Sequence, residues 1–263
     1  MRPYIAVLSA NFRMMLQYRA AAFAGAVTQV FWGLIRVMVF EAFYRSSSLV
    51  HPMGLDEVVD YVWLGQAMLL LTTFGPDPHI REMIRSGNVA YELTRPTDLY
   101  GFWYVRCLAA RSAPVILRAV PQLLIAGLFF GLRAPASPAS GAAWIASTLA
   151  AMLLSAAFGA VISITLLWTI SGEGASRFLP AVSWLLSGNI IPLPLFPEWA
   201  QGVLNVLPFR GLADTPFRIY MGHIGPGEAL LPILHQVVWA AAFVLFGRWL
   251  LARAMRRVVV QGG

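Results

Sequence analysis

A run of 39 residues without a charged side chain constrains this chain more than any other feature of its sequence. The run covers positions 134–172 and is rich in alanine, leucine, isoleucine and serine. A helix that crosses a lipid bilayer needs about 20 consecutive, mostly apolar residues. The run is therefore long enough to cross a membrane, and it predicts that this part of the chain lies in one.

The composition of the whole chain leads to the same prediction. Of its 263 residues, 59% are hydrophobic and 12% are charged, whereas a soluble domain has about 45–50% apolar and about 25% charged residues. Polar side chains are too few to cover the surface of a soluble domain, and apolar ones are too many for a disordered chain. The composition predicts a protein that crosses a membrane several times.

Charge-free windows along the sequence define six candidate spans. We predict an all-α membrane protein in which a single transmembrane domain, residues 1–263, contains all of them. Short helices are expected on the outer face, between the fifth and sixth spans. The spans are expected at approximately 20–43, 58–75, 105–131, 142–170, 178–196 and 229–250.

The positions of the arginines predict the orientation of these spans. An even number of spans puts both termini on one side, and cytoplasmic loops carry an excess of basic residues. With both termini inside, the outer loops carry four arginines: Arg45, Arg133, Arg210 and Arg218. The inner segments then carry twelve: Arg2, Arg13, Arg19, Arg81, Arg85, Arg95, Arg106, Arg177, Arg248, Arg253, Arg256 and Arg257. We therefore predict that both termini are inside, and we ascribe the net charge of +7 to this bias rather than to nucleic-acid binding.

Residues 1–18 are predicted to form an amphipathic helix. Ile5, Leu8, Phe12 and Met15 recur at helical spacing and form an apolar face. Such a helix would lie in the inner membrane interface and contact lipid. A cytoplasmic extension of the first span is the alternative that the pattern leaves open.

The main cytoplasmic loop is predicted over 76–104. Pro76 and Pro78 end the second span, and a short helix follows until Gly87, which is able to take positive φ, stops it. Its apolar and charged residues lie on opposite sides. This pattern is typical both of a helix that docks into a partner and of one that rests on lipid. The residues concerned are Asp77, His79, Ile80, Arg81, Met83, Ile84 and Arg85.

The segment after the fifth span contains Pro192, Pro194 and Pro197 within six positions. Each proline removes a backbone donor and clashes with the preceding turn, so a straight helix cannot continue. We predict that the fifth span breaks here and that a short helix follows over 198–207. Irregular backbone at membrane depth must be satisfied by protein or water. The segment, including Ser187 and Asn189, is therefore expected to be buried in protein or to line a cavity.

Several kinds of chemistry are excluded by the residue types. All 19 basic residues are arginine, and a P-loop needs a lysine on the nucleotide phosphates, so the chain is not expected to be an ATPase. The four histidines show no metal-ligand spacing, and the lone Cys107 cannot form an intramolecular disulfide or a cysteine-based metal site. We expect no catalytic, cofactor-binding or metal-ligating residue in this chain.

Two arginines within predicted spans are candidate functional residues. An ionisable side chain inside a span is a functional candidate by default, and Arg36 or Arg118 would then contact an anionic or polar substrate. The interpretation that we favour for both is structural: the side chain snorkels or pairs with a backbone carbonyl. Arg111 also lies within the third predicted span, about seven residues before Arg118.

Four stretches of the chain resemble permeases of the ABC-2 type. They are IREMIRSGNVAYELTRPTDLY at 80–100, SGNIIPLPLFPEWAQGVLNVLPF at 187–209, PFRIYMG at 216–222 and VVVQGG at 258–263. The resemblance covers essentially the whole chain. It implies a six-span subunit of a bacterial cytoplasmic membrane, with both termini inside, that forms half of an export pathway.

The resemblance also implies partners and roles. Residues 1–18 would be an interfacial elbow helix, and 77–88 would contain a coupling helix that docks into a separate ATPase subunit, which would bind the ATP and Mg²⁺. The short helices over 192–209 would cap the outer end of the pathway. A second permease, identical or different, would complete it.

Two other classes of protein stay open at this point. A stand-alone channel or secondary transporter would be expected to show an ionisable relay or an inverted repeat, and neither is visible in the sequence. A membrane scaffold subunit without transport activity would have the same composition as a permease, so the sequence does not separate the two.

Overall fold

The computed structural model describes residues 2–17, 19–46, 51–72, 75–94, 96–168 and 173–256. Within these ranges the chain forms helices joined by loops, and no strand. Two short 3-10 turns, Leu193–Leu195 and Pro208–Leu212, interrupt the connection before the last helix. The helices are α1 (Arg2–Gln17), α2 (Arg19–Ser46), α3 (Leu55–Ala67), α4 (Leu69–Thr72), α5 (Pro78–Arg85), α6 (Val89–Leu93), α7 (Leu99–Phe129), α8 (Pro138–Thr165), α9 (Glu173–Leu186), α10 (Glu198–Val206), α11 (Asp214–Met221) and α12 (Leu230–Met255).

Four of the six predicted spans coincide with helices long and apolar enough to cross a membrane. They are Ala24–Ser46 within α2, and the whole of α7, α8 and α12. The predicted boundaries differ from these helices by a few residues, mostly because the helices extend past the charge-free windows. These four helices, of 23 to 31 residues, exceed the length of about 20 residues that a bilayer requires.

The other two predicted spans are shorter in the structure. The second is divided at Met68 into α3 and α4, of 13 and 4 residues. The fifth, α9, has 14 residues, or about 21 Å at 1.5 Å per residue, against a hydrocarbon core of about 30 Å. Within the described residues, neither reaches the length of an ordinary spanning helix by itself.

Helix α8 is the centre of the bundle. Of its most apolar 18-residue window, 78% is buried inside the protein, and it packs against α7, α11 and, most extensively, α12. Its buried face contains small residues, among them Ala151, Ala156, Ala157, Gly159 and Ala160. Small side chains let helix backbones approach closely, which is how helices pack in a membrane where no hydrophobic effect drives them together.

A polar contact reinforces the packing of α12 against α8. Gln236 of α12 is fully buried and donates to the carbonyl oxygens of Ser147, at 3.1 Å, and Gly211, at 2.6 Å. The Ser147 hydroxyl donates to the Gln236 Oε1 atom at 3.0 Å. In a membrane such a contact is worth about 0.6–2 kcal/mol, and here it also holds the second 3-10 turn against both helices.

The ends of the long helices alternate, as in an antiparallel bundle. The beginning of α7 and the ends of α8 and α12 gather around α5 in a cluster that includes Ile80, Trp103, Ile164 and Leu251. We call this the α5 end of the bundle. At the opposite end, the end of α7 and the beginning of α8 meet α3 and α11.

An ion pair fastens the opposite end of the bundle. Arg133, in the loop between α7 and α8, donates to Asp60 of α3 through its backbone nitrogen at 2.9 Å and its Nε atom at 2.7 Å. This hydrogen bond raises the pKa of Arg133 above its usual value. The Tyr220 hydroxyl of α11 donates to the Arg133 carbonyl at 2.8 Å. One loop residue therefore connects α3, the α7–α8 loop and α11.

The fifth predicted span ends earlier in the sequence than the position of the prolines led us to expect. Helix α9 ends at Leu186, about ten residues before the predicted boundary, and Gly188 adopts a φ of 88°. This left-handed conformation suits glycine and ends a helix. The short helix expected over 198–207 is confirmed as α10, and Ser187 and Asn189 are buried, as expected of irregular backbone inside a membrane protein.

The N-terminal helix is confirmed, while its place in the membrane interface stays a prediction. Helix α1 packs against α7, and Tyr4 lies beside Gly101. Ile5 and Phe12 of the predicted apolar face are exposed, so this part of the face is not used to pack the helix against the protein. The orientation with both termini inside also stays a prediction, and the motif at 258–263 lies outside the described residues.

The contact between α2 and α3 makes a testable prediction about packing. A methyl group added at Gly33 would lie 2.5 Å from the ring of the buried Trp63, whereas Gly202 of α10 has no atom within 4 Å of such a group. We expect Gly33→Ala to lower the free energy of unfolding by about 1–3 kcal/mol, because overpacking moves the tryptophan. Gly202→Ala should be neutral or stabilising, since alanine favours a helix.

The two variants are compared by thermal unfolding of the purified protein in detergent. Both substitutions replace a helical glycine with alanine, so the effect of helix propensity is common to them. Equal melting temperatures would show that α2 and α3 do not approach each other as described.

Candidate functional site

The predicted coupling helix, α5, is attached to the bundle by its first residues. Asp77 caps the helix, accepting hydrogen bonds from the backbone nitrogens of His79 and Ile80 at 2.9 and 3.0 Å. Its own backbone nitrogen donates to the Ser163 hydroxyl of α8 at 3.0 Å, and its carboxylate lies 3.4 Å from Arg106 of α7. We call this set the Asp77 joint. It ties the start of α5 to two long helices.

The two faces of α5 have different surroundings. Ile80 and Met83 are buried in the cluster at the α5 end, and Ile84 packs at its margin. His79 and Arg85 are exposed, together with Glu82, and Arg81 is half-buried. The family resemblance implies Ile80, Met83 and Ile84, with the flanking Arg81 and Arg85, as contacts of the ATPase. In this fold Ile80 and Met83 are buried against the protein itself. A partner would meet the charged face, and the coupling role itself stays a prediction.

A second polar network lies halfway along α2. Arg36 is 12 residues from Ala24 and 10 from Ser46, at the middle of the span. Its Nη2 atom donates to the carbonyl oxygens of Asn189 and Ile190, the latter at 2.9 Å. Both carbonyls belong to the turn that follows α9. The structural interpretation of Arg36, pairing with a backbone carbonyl, agrees with this geometry.

Asn189 extends this network to three further elements. Its Nδ2 atom donates to the Thr72 hydroxyl of α4 at 3.1 Å and lies 3.5 Å from the Gly65 carbonyl of α3. Its Oδ1 atom accepts from the indole nitrogen of Trp184 in α9 at 3.3 Å. We call Arg36, Gly65, Thr72, Trp184, Asn189 and Ile190 the Asn189 cluster. It joins α2, α3, α4 and the end of α9 through hydrogen bonds inside the protein.

The three prolines predicted to cap the pathway differ in their surroundings. Pro192 is buried, Pro194 is half-buried and Pro197 is exposed. Ser187 lies before them, and its carbonyl accepts from the backbone nitrogen of Asp214 at 3.1 Å, which connects the break to α11. The structure therefore brings Ser187 and Asn189 into the interior, while Pro194 and Pro197 approach the surface.

Arg111 is a buried residue whose environment sequence reasoning missed. The sequence placed it only within the third span. Its side chain lies between α7 and α8, where it donates to the Ser155 hydroxyl at 2.7 Å and the Cys107 carbonyl at 2.6 Å. A Cβ atom at Gly159 would clash with the guanidinium, so glycine there makes the space. Every helical residue has a carbonyl four positions before it, so the sequence carries no local signal for this contact.

Arg118 is half-buried and packs over Gly25 of α2, where a Cβ atom would lie 2.9 Å from its Cζ atom. In the part of the chain that the structure describes, no carboxylate or carbonyl pairs with it. Arg118 and Arg36, predicted together, are therefore in different situations. The structure does not bring them into one site, and a role for Arg118 in contacting substrate stays a prediction.

No metal centre is visible among the described residues, where no three His, Cys, Asp or Glu side chains come together. The Asp77 joint and the Asn189 cluster attach helices to one another and can transmit movement between them. The arrangement contains a capped surface helix fixed to two long helices, and a buried network that fixes the end of a third. These features define a helical membrane protein with several apolar helices and two polar attachment points.

The comparison with protein families identifies the chain more closely. A family described as "ABC-2 family transporter protein" matches residues 30–262, which is most of the sequence. The chain belongs to this family, and it is a multi-pass membrane permease subunit of an ABC transporter. The search of curated proteins and the search of solved structures found no match.

The Asp77 joint makes a prediction about local stability. Asp77→Ala removes the cap of α5 and its contact with Arg106, and losing such a cap costs about 0.5–2 kcal/mol. We expect hydrogen exchange to accelerate severalfold to tenfold over residues 78–86, with little change elsewhere. Ser86→Ala, at the other end of α5, is the control, since the exposed Ser86 hydroxyl donates only to carbonyls of its own helix. Unchanged exchange in Asp77→Ala would contradict the joint.

The Asn189 cluster makes a prediction about global stability. Arg36→Met leaves the Asn189 and Ile190 carbonyls without their donor, and an unsatisfied buried polar group costs about 1–3 kcal/mol. We expect a melting temperature several degrees lower. Arg45→Met, on the same helix, is the matched control. The Arg45 side chain is exposed, and its 3.8 Å ion pair with Glu41 is accessible to solvent, so it contributes little to stability. Equal melting temperatures for both variants would show that the Arg36 contacts contribute nothing.

Proposed function

We propose that the chain forms half of the translocation pathway of an ATP-driven exporter in a bacterial cytoplasmic membrane. A separate subunit would bind ATP and Mg²⁺ and hydrolyse the nucleotide. The observation that carries the proposal is the two-sided environment of α5, which is anchored to α7 and α8 on one side and presents charged residues on the other. Family membership supports an ATPase partner, since permeases of this kind normally have one.

The proposed topology has six membrane crossings. The two short segments, α3 with α4 and α9, complete the set of four long helices. Each packs against the bundle on one side: α3 and α4 lie against α7, and α9 lies against α8 and α4. The arginine distribution favours both termini inside, which puts the α5 end on the cytoplasmic side.

Helix α5 is the proposed contact with the ATPase. Its exposed residues His79, Glu82 and Arg85 would lie against that subunit. The Asp77 joint and the burial of Ile80 would make α5 move together with the ends of α7 and α8, as a rigid-body switch requires. Closure of the ATPase on nucleotide would then displace the long helices.

A second permease is the proposed partner within the membrane. Helices α2 and α7 expose large apolar side chains, and those of α2 include Phe31, Trp32 and Met38. An exposed apolar surface in a membrane protein contacts either lipid or another subunit. We assign part of the α2 and α7 surface to the second permease and the remainder to lipid. The cargo would pass between the two permeases, from the cytoplasmic side outward.

The first experiment is a pull-down of the tagged protein from its native membrane in a mild detergent, followed by mass spectrometry. We expect an ABC ATPase, with or without a second permease, to be recovered. Recovery of neither, in a detergent that keeps a control ABC complex intact, would favour a stand-alone channel or a scaffold subunit instead.

Charge reversal on α5 tests the contact itself. Arg85→Glu should reduce the recovered ATPase about tenfold or more, because it places a like charge in an interface built on complementarity. Arg45→Glu is the matched control, since Arg45 is equally exposed but lies at the end of α2, next to the loop before α3. Thermal unfolding confirms that both variants fold. Equal recovery of the ATPase with both would exclude the charged face of α5 as its contact.

A further inference from the structure

A cavity of about 720 Å³ lies beside α10. It is bounded by the residues that precede α3, by the segment that leads into α10, and by α10 and α11. Cavities that bind small molecules have volumes of about 300–1,000 Å³, so this one is large enough for a ligand. We call it the α10 cavity.

One side of the α10 cavity is apolar and rigid. It is formed by Pro52, Pro194, Leu195, Phe196 and Pro197, and prolines have little freedom to rearrange. Gln201 of α10 holds this wall in place, because its amide nitrogen donates to the carbonyls of Leu193 at 2.7 Å and Phe196 at 3.0 Å. The wall is therefore a built surface that offers contact to an apolar group.

The other side of the cavity offers hydrogen-bond donors. Arg218 of α11 lines it, and its nearest carboxylate, that of Asp214, is 3.9 Å away, which is too long for a hydrogen bond. The Arg218 Nε atom is buried without an acceptor in the described structure. Asn205 accepts from Arg210 through its Oδ1 atom at 2.6 Å, which leaves its amide hydrogens available at the cavity.

The donors around the cavity suit an anion. Arg218 is partly shielded from water, with 30% of its side chain exposed, and its ion pair with the buried Asp214 at 3.9 Å offsets part of its charge without occupying its hydrogen-bond donors. Glu198, the carboxylate that lines the same cavity, is exposed and therefore well screened. A guanidinium and a neighbouring amide are donors suited to a phosphate or carboxylate group.

The surface next to the cavity is apolar. Helix α10 exposes Trp199, Val203 and Val206, which lie on one face because they are spaced by four and three residues. Tryptophan at such a position is typical of the membrane interface. A ligand in the α10 cavity would therefore be close to lipid as well as to donors.

We propose that the α10 cavity binds an amphiphile with an anionic head group, represented by an alkyl phosphate. The head group lies between Arg218 and Asn205, and the alkyl chain lies against Leu195, Phe196 and the prolines. The proposal concerns binding to this chain alone, so it does not depend on the ATPase or on the direction of transport.

Two substitutions of nearly unchanged shape test the site in opposite directions. Asn205→Asp retains the acceptor for Arg210 but adds a negative charge at the cavity, and we expect it to weaken binding of decyl phosphate about tenfold. Glu198→Gln removes a well-screened negative charge and should strengthen binding about twofold. Asn88→Asp, an exposed position at the α5 end, is the matched control and should change nothing. Arg218 itself is left unaltered because the buried Asp214 lies beside it.

Native mass spectrometry of the purified chain measures binding, because it counts bound molecules after the detergent is removed. Decyl phosphate should bind at least tenfold more tightly than either of two other probes. Decyltrimethylammonium tests whether the negative charge is needed, and inorganic phosphate tests whether the alkyl chain is needed. Binding of decyl phosphate no tighter than that of either other probe, or equal effects of Asn205→Asp and Asn88→Asp, would overturn the proposal.

The same measurement identifies the source of the natural ligand. Addition of phosphatidylglycerol should displace decyl phosphate if the site takes a lipid of the bilayer. Retention of the probe would indicate a free amphiphile with the same head-group chemistry. Both results require the anion site. If neither Asn205→Asp nor Glu198→Gln altered the binding of decyl phosphate, the probe would bind elsewhere and the proposal would be refuted.

Discussion

Backbone carbonyls in a turn inside a membrane protein must find donors, and the rest of this structure depends on how that need is met after α9. Carbonyls in irregular backbone have no helical partner, and at membrane depth water does not supply one. Helix α9 ends at Leu186, and the carbonyls of Asn189 and Ile190 in the turn that follows face Arg36 at the midpoint of α2. This arginine stabilises the turn by which the chain leaves α9, and the connection toward α10 begins there inside the bundle.

The use of arginine rather than lysine fits this arrangement. One guanidinium presents five donors in a plane and can satisfy two carbonyls at once, whereas an ammonium is a compact, strongly hydrated charge. Arg36 serves two carbonyls and Arg111 serves a hydroxyl and a carbonyl, each between different elements. Arg133 does the same for a carboxylate at the opposite end. A chain with 19 arginines and no lysine therefore has the residue type that attaches helices to one another.

Sequence patterns predict the features that depend on neighbouring residues. They do not predict the features that depend on contacts between residues far apart in the chain. Charge-free windows located α2, α7, α8 and α12, and the proline spacing located α10, because length, hydropathy and proline sterics act locally. The turn that ends α9 is held by Arg36, which is 153 positions before its partner Asn189 in the sequence. The burial of Arg111 depends on the space left by Gly159. The amphipathic pattern of α5 is local too, but it does not say whether the apolar face meets the protein itself or a partner. The structure shows that Ile80 and Met83 meet the protein.

The two polar attachment points are close along the chain, and this proximity limits how α5 could move. Thr72 ends α4 within the Asn189 cluster, and Asp77 begins the joint only five residues later, a separation that an extended chain spans in at most about 18 Å. If α5 moves farther than this connection can extend, it must do one of two things. It either moves α8 and α7 through Ser163 and Arg106, or pulls on α4. Pulling on α4 acts on the Thr72–Asn189 hydrogen bond, and so on the turn that Arg36 holds. Rigid docking of a partner on α5 would thus act on the long helices and on the turn after α9 together.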